Sequence, residues 1–460
     1  AQAAGLKPIL GAELRCQGEP LWLFVENAGG FTNLCRLLST TAPAGEREAA
    51  GSEEAHAGTR AAMPSLTLAA LAEEATAGLV AVGSDPRWAS RFPGRFYRAI
   101  RTRRELREYA GNPEGPPAVP VFPVHYARPE ERWQFEIVQS IRTLTLLRQA
   151  HPEKLEGGNH HFRTSAELEA LFGRHPRLAA ATWEIADRCA FAIHLGRPQF
   201  PPYRTPDGTT SRAFLRRLVE RGLAARYPAE RRAALQAQVE EELAMIAAVG
   251  YEDYFLVVWD LLTACRGRGI DWITRGSAAD SLVCYCLGIS GVCPVRFDLY
   301  FRRFLNVERM GMNKLPDIDI DFPHDRKDDV VALLFERHGP EHCAVVGGFS
   351  TFQARSAFAE VAKVLGVAER DVRRFTEHFP WGFGGSWIPG ETPEPSRERE
   401  AGGRLTELLR ESPECRDLPL DEEPYRTALA MAGFLDGVPR YPKMHPCGVV
   451  LSRQPMHELT

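Results

Sequence analysis

The residues best equipped for chemistry stand in one short stretch, Leu-Pro-Asp-Ile-Asp-Ile-Asp-Phe at positions 315–322. An extended strand points successive side chains to opposite faces. Asp317, Asp319 and Asp321 are therefore expected on one face, with Ile318, Ile320 and Phe322 on the other. Carboxylates at that spacing repel, and Asp is depleted in strands, so the arrangement costs stability unless cations neutralise it. A hard divalent ion is the natural counter-ion. Magnesium takes carboxylate oxygens, keeps several waters and is commonly shared with substrate phosphates. Two such ions roughly 3.5–4 Å apart stabilise the attacking and leaving oxygens of an in-line phosphoryl displacement. The bland alternative is an edge strand or turn with a solvated acidic face, but a loop has no need of the alternating Ile and Phe.

A second constellation lies about forty residues upstream, where Thr274-Arg275-Gly276-Ser277-Ala278-Ala279-Asp280-Ser281 precedes the apolar run Leu282 to Leu287. A small-residue loop opening a helix offers unpaired amides and the positive end of the dipole, which makes it a ready anion site. Arg275 would add a charge-assisted fork to the same phosphate. Ser277 as a plain N-cap is the competing reading. The segment Phe301-Arg302-Arg303-Phe304-Leu305-Asn306-Val307-Glu308-Arg309 joins the two stretches, which could converge on one triphosphate.

The elements that must position these residues alternate between helix and strand. Lys7 to Leu14 and Leu21 to Val25 read as strands around a polar turn at Gln17-Gly18-Glu19-Pro20, and Asn33 to Leu38 as helix. A helix near Leu68 to Glu74, a buried strand at Gly78 to Val82 and a strand end at Val119 to Tyr126 continue an α/β layer or barrel. From Glu131 the periodicity turns helical, with Ile137, Ile141 and Leu144 on one face. Thr164-x-x-Glu167 forms a capping box ahead of Leu168, Leu171 and Phe172, and Leu235, Val239, Leu243 and Ile246 make a stripe up to Gly250. These stripes read as core. Tyr254 to Trp259 is helix or strand. Val330, Leu333 and Leu334 face inward from a helix starting near Asp325, and Phe358, Val361, Ala362 and Leu365 mark another that stops at Gly366. Residues 41–65 and 381–403 read as loops, and His445-Pro446-Cys447-Gly448-Val449-Val450-Leu451 as a strand whose His could face the acidic site.

The chain has 460 residues, 44% hydrophobic and 25% charged, enough for two to four domains of roughly 100–200 residues. A net charge of −4 argues against a chain that coats nucleic acid everywhere. Charge is local instead: seven Arg against four acidic residues between Arg266 and Arg309, then six Asp against one Arg and one Lys from Asp317 to Asp329. Ten scattered Cys without a Cys-x-x-Cys pair favour reduced thiols and a cytoplasmic setting, and no run reads as a membrane span or signal peptide. The first residue is not Met and the end at Pro455 to Thr460 has no tail character, so a fragment is expected.

These motifs resemble the α subunit of bacterial DNA polymerase III, the C-family replicative polymerases and their error-prone relatives. In family order stand Gly11-Ala12-Glu13, Tyr254-Phe255-Leu256, Arg275-Gly276-Ser277, Phe304-Leu305-Asn306, Glu308-Arg309, Pro316-Asp317-x-Asp319-x-Asp321-Phe322, and His445 with Gly448-Val449-Val450. The resemblance implies a multidomain α/β chain. Residues 1–150 would be the later part of a polymerase-and-histidinol-phosphatase (PHP) domain and 151–348 most of a nucleotidyltransferase-like palm with a mixed sheet. A helical thumb would follow at 349–440, and 441–460 would return to the palm. It further implies that Asp317 and Asp319 hold two catalytic Mg2+, with Asp321 in the third motif position. Arg275, Gly276 and Ser277 would hold the nucleotide's phosphates, and Arg303 and Arg309 would sit beside the primer terminus or nucleotide. Thr274 and Ala278 stand where the family often has Gly.

The implied reaction is template-directed DNA synthesis on primer-template DNA from deoxynucleoside triphosphates, with a sliding clamp bound through regions outside this chain. The family's third catalytic carboxylate would follow Thr460, so this piece alone is expected to be inactive. Glu13 and His125 match PHP metal ligands, but Pro123 stands where an Asp would, which argues against proofreading there. The main rivals are a PHP-type metal-dependent phosphoesterase or exonuclease and a non-catalytic DNA-binding module. Between the replicative and error-prone branches, the run Val283 to Ile289 and the degraded PHP site lean towards the error-prone one.

Overall fold

The computed structural model describes residues 5–41, 65–111, 115–155, 157–193, 200–304, 317–377, 379, 405–415 and 418–459. The expected loops at 41–65 and 381–403 fall almost wholly outside these residues, as does Arg309. The chain is a mixed α/β protein. It divides into two compact units, the first formed by residues 1–37, 41–191 and 347–445, the second by 38–40, 192–346 and 446–460. The chain changes unit at 191.

The first unit holds a six-stranded mixed sheet. Strands β1 (Gly11–Cys16) and β2 (Glu19–Val25) form a hairpin whose two-residue loop, Gln17-Gly18, has positive φ at both positions, as a tight hairpin turn demands. The turn is shorter than the sequence implied: Pro20 already pairs with Arg15. With β3 (Ser65–Leu66), β4 (Leu79–Gly83), β5 (Phe96–Ile100) and β6 (Ala118–Pro120), the spatial order is β3-β1-β2-β4-β5-β6. β2 pairs antiparallel with β4, while β4, β5 and β6 run parallel. β4 is buried at every position, because a strand with parallel and antiparallel neighbours and both faces covered must be apolar throughout.

Helix α1 (Ala28–Thr41) follows the hairpin, and α2 (Arg132–Thr143) the sheet. In α2 the apolar stripe outruns the helix: Leu144 is the left-handed C-cap and 82% exposed, not core. The capping box of α3 (Ser165–Phe172) forms as read, with Thr164 and Glu167 bonded reciprocally, yet Leu168 and Leu171 stay exposed. Burial there falls to α4 (Pro176–Arg188), whose Leu178, Ala181 and Ile185 cover the sheet.

The second unit is built on α5 (Ser211–Arg226), α6 (Ala229–Val249), α7 (Glu252–Gly267), the six-residue α8 (Leu282–Leu287) and α9 (Lys327–His338). Tyr254 to Trp259 is thus helix, and the Val239, Leu243 and Ile246 stripe joins Phe255, Leu256, Leu282 and Val283 in one core. Two short strands, β7 (Ile273–Arg275) and β8 (Asp319–Asp321), pair against this core.

Helices α10 (Ala354–Val364), α11 (Glu369–Glu377) and α12 (Tyr425–Leu435) belong to the first unit. They share a core with residues 405–411 and Ile137, centred on Phe358 and Phe375 with rings 4.5 Å apart. β9 (Cys343–Thr351) and β10 (Pro439–Leu451) form a two-stranded ribbon in which the chain passes twice between units. The strand expected at His445 thus begins earlier, at Pro439, and finds its partner in β9. Among the described residues no helix is long and apolar enough to cross a membrane, and Cys16, Cys35, Cys189, Cys265, Cys284, Cys286, Cys293, Cys343 and Cys415 are free thiols.

Candidate active site

From Asp317 to Phe322 exposure alternates strictly, each Asp exposed and each of Ile318, Ile320 and Phe322 half-buried. The apolar side packs on the core of the second unit and leaves the carboxylates to solvent. β7 runs antiparallel beside β8 in the register Ile273 to Asp321, Thr274 to Ile320 and Arg275 to Asp319. A long side chain reaches its diagonal neighbour across such a pair. Arg275 Nε accordingly lies 2.5 Å from Asp321 Oδ2. Gly276, at φ +67, continues the strand into a turn that favours glycine, and a methyl built there would stand 3.5 Å from Asp319 Oδ2. Arg275, Gly276, Asp319 and Asp321 therefore share one ribbon.

Three hydrogen bonds from behind fix the ribbon. Ile318 N donates to Tyr254 Oη at 3.1 Å, and burial first of all pushes the Tyr254 phenol up to about 12. Thr274 Oγ1 and Trp272 Nε1 both donate to Ile289 O, at 2.6 and 2.9 Å.

The loop after Arg275 departs from expectation. Gly276–Asp280 is a 3₁₀ turn, and the N-cap of α8 is Ser281, not Ser277. The amides of that helix are not open to a ligand. The buried Glu242 accepts from Leu282 N and Val283 N, both at 3.0 Å, and from Ser281 Oγ at 2.6 Å, while Gln238 donates to it at 3.0 Å. Burial pushes the Glu242 carboxyl above its ordinary value, against the pull of these bonds. An internal carboxylate thus fills the anion site read into the sequence. Its signal lay in the stripe itself, where Glu242 stands on the buried face between Val239 and Ile246.

Arg303 ends a 3₁₀ turn, Phe301–Arg303, with Nε 4.0 Å from Asp280 Oδ2. His445 is an exposed residue of β10 within the first unit, whereas the acidic ribbon belongs to the second. The N-terminal candidates are engaged otherwise. Glu13 accepts from Trp22 Nε1 at 3.0 Å. His125, past the end of β6, stacks on Phe135 at 4.7 Å and lies 5.4 Å from the His160 ring; desolvation first, then His160, holds its pKa below the ordinary value.

As metal donors, the ribbon carboxylates are hard oxygens exposed on one face, with Asp321 also engaged by Arg275. Among the described residues no three His, Cys, Asp or Glu gather into a cage. This donor set suits ions completed by water and substrate oxygens.

Residues 213–460 match the family model described as the bacterial DNA polymerase III alpha NTPase domain. The chain is 34% identical to an error-prone DNA polymerase of Symbiobacterium thermophilum, over 100% of this chain and 43% of that protein. It is also 34% identical to an error-prone DNA polymerase of Pseudomonas aeruginosa, over 98% of this chain and 41% of that one. A DNA polymerase III subunit alpha of Bacillus subtilis is 33% identical over 75% of this chain and 29% of its own length. The chain thus spans less than half the length of the curated relatives it matches.

Proposed function

We propose, since the chain belongs to the bacterial DNA polymerase III alpha family, that it is part of a template-directed DNA polymerase adding deoxynucleotides to a primer 3′ end. The observation that carries this reading is the ribbon, which sets Asp319 and Asp321 beside Arg275 and Gly276 within the matched residues. Asp317 and Asp319 would hold Mg2+, which when bound neutralises triphosphate charge and lowers the pKa of the attacking hydroxyl. Arg275, released from Asp321, would fork onto a phosphate, and the missing side chain of Gly276 lets that phosphate approach the backbone. Arg303, and Arg309 outside the described residues, would add phosphate contacts, and Ser277 completes the proposed substrate contacts.

On this reading the sheet of the first unit is a PHP remnant, the second unit the first part of a palm, and helices α10 to α12 a thumb. A cytoplasmic setting and a sliding clamp bound by other regions complete it. Relatives aligned over nearly the whole chain carry the name error-prone polymerase, which supports a role in damage-tolerant synthesis. The test is Asp319→Ala in the full-length protein: nucleotide incorporation on a primed template should fall at least 1,000-fold, an effect on the order of 4 kcal/mol, with primer-template affinity kept. Synthesis at the unmodified rate would refute the assignment.

A further inference from the structure

We propose that Arg226 and Arg266 form a phosphate-binding cleft, separate from the acidic ribbon, that takes a backbone phosphate of a nucleic acid. The choice of a nucleic acid rests on the polymerase reading; the affinity for phosphate does not.

Three helix ends meet at the cleft. Arg226 is the last residue of α5, Arg266 lies in the last turn of α7, and Gly288, at φ +73, caps α8. Helix C-termini favour cations, which explains how two arginines tolerate each other's company. A methyl built on Gly288 would lie 3.1 Å from Arg266 Nη2 and 3.5 Å from Arg226 Nη2, so both guanidiniums border one point in space. Each is held over an aromatic ring: Arg226 Cζ is 4.0 Å from the Tyr285 centroid, and Arg266 Cζ 5.2 Å from that of Trp272. Stacking fixes the guanidinium planes and leaves their N–H edges for a ligand.

Those edges are almost unused. Among the described residues neither arginine forms an ion pair, Asp271 in the cleft wall included. The one hydrogen bond between them is a long contact of 3.4 Å from Arg266 Nη2 to Gly288 O. The cleft holds about 270 Å³. Two forked cations without a counter-ion around such a space match a tetrahedral oxyanion. Trp272 directly precedes β7, so the cleft lies at most about 10 Å along extended chain from Arg275.

The test compares the full-length protein with its Arg226→Gln/Arg266→Gln and Arg226→Lys/Arg266→Lys variants. Primer-template affinity is measured by anisotropy across a salt series, and inorganic phosphate binding by quenching of Trp272 fluorescence, with Trp272→Phe as blank. In the Gln pair, duplex affinity should fall roughly tenfold and the log–log salt slope should shrink by about 1 to 2; the Lys pair should keep most of both. Loss of phosphate quenching with duplex binding intact would uphold the phosphate site and make free phosphate its ligand. Should the unmodified protein bind no duplex while quenching still depends on the arginines, the polymerase reading fails and the cleft stands. If neither signal changes in the Gln pair, whether or not its unfolding midpoint drops, the arginines only cap helices and the proposal is overturned.

Discussion

Tyr254 Oη accepts the amide hydrogen of Ile318 from beneath the acidic strand, and burial holds its phenol at about 12. Tyr254→Phe leaves that amide without its partner and should cost about 1 kcal/mol in denaturant midpoint. The neutral, protonated phenol is the form the fold favours. Its stabilising contribution is therefore complete below the ordinary pKa of 10.0 and is lost as pH rises through about 12. An ultraviolet titration of the native protein should show, near pH 12 where Tyr97 also ionises, an absorbance rise larger by one tyrosine than in the variant; an unchanged curve and midpoint would remove Tyr254 from this role. At this scale the sequence was legible wherever a local rule decides. The i to i+3 capping box at Thr164 needs no tertiary partner, and the alternation from Asp317 to Phe322 follows from the pleat. Glu242 was missed for the opposite reason. Its ligands, Ser281, Leu282 and Val283, come from about forty residues away, and no local pattern reveals that a carboxylate will meet a helix end.

Among the elements, the approach of α5 to α8 sets where the loop after Arg275 can run. A methyl built on Gly222 of α5 would lie 1.9 Å from Cys286 O, a backbone atom that cannot turn aside. Gly222→Ala should therefore force the helices apart at a cost of about 3 kcal/mol or more. Gly267, whose added methyl would meet nothing within 4 Å, provides the control: Gly267→Ala should leave the urea midpoint within about 0.5 kcal/mol of the parent. Equal midpoints for the two variants would show that the helices yield freely. Helices with long stripes, α6 and α10 above all, were readable because burial follows a 3.6-residue period. The ends were less so. Leu144 falls on the stripe but past the last helical turn, and Leu168 and Leu171 lose the sheet to Leu178 and its neighbours in α4.

For the whole molecule, a net charge of −4 provides no general attraction to DNA; on the proposed polymerase reading, binding would be carried by local groups such as Arg275, Arg303 and the pair at Gly288. Duplex affinity of the full-length protein should fall steeply with salt, with a log–log slope near −0.9 per phosphate contacted. A flat plot would contradict phosphate-led binding. The mixed α/β class was legible from alternating periodicities, whereas the division into units was not. Residues 347–445 share a unit with the N-terminal sheet, a long-range association that composition does not encode. Because the chain passes between the units inside β9 and β10, neither unit is a continuous stretch that a single cut would release. Trimming the gene at 346 or at 445 would sever a strand in mid-ladder and strip its neighbour of backbone partners. The resulting raw edge invites a second chain to pair with it, so shortened versions made that way should aggregate.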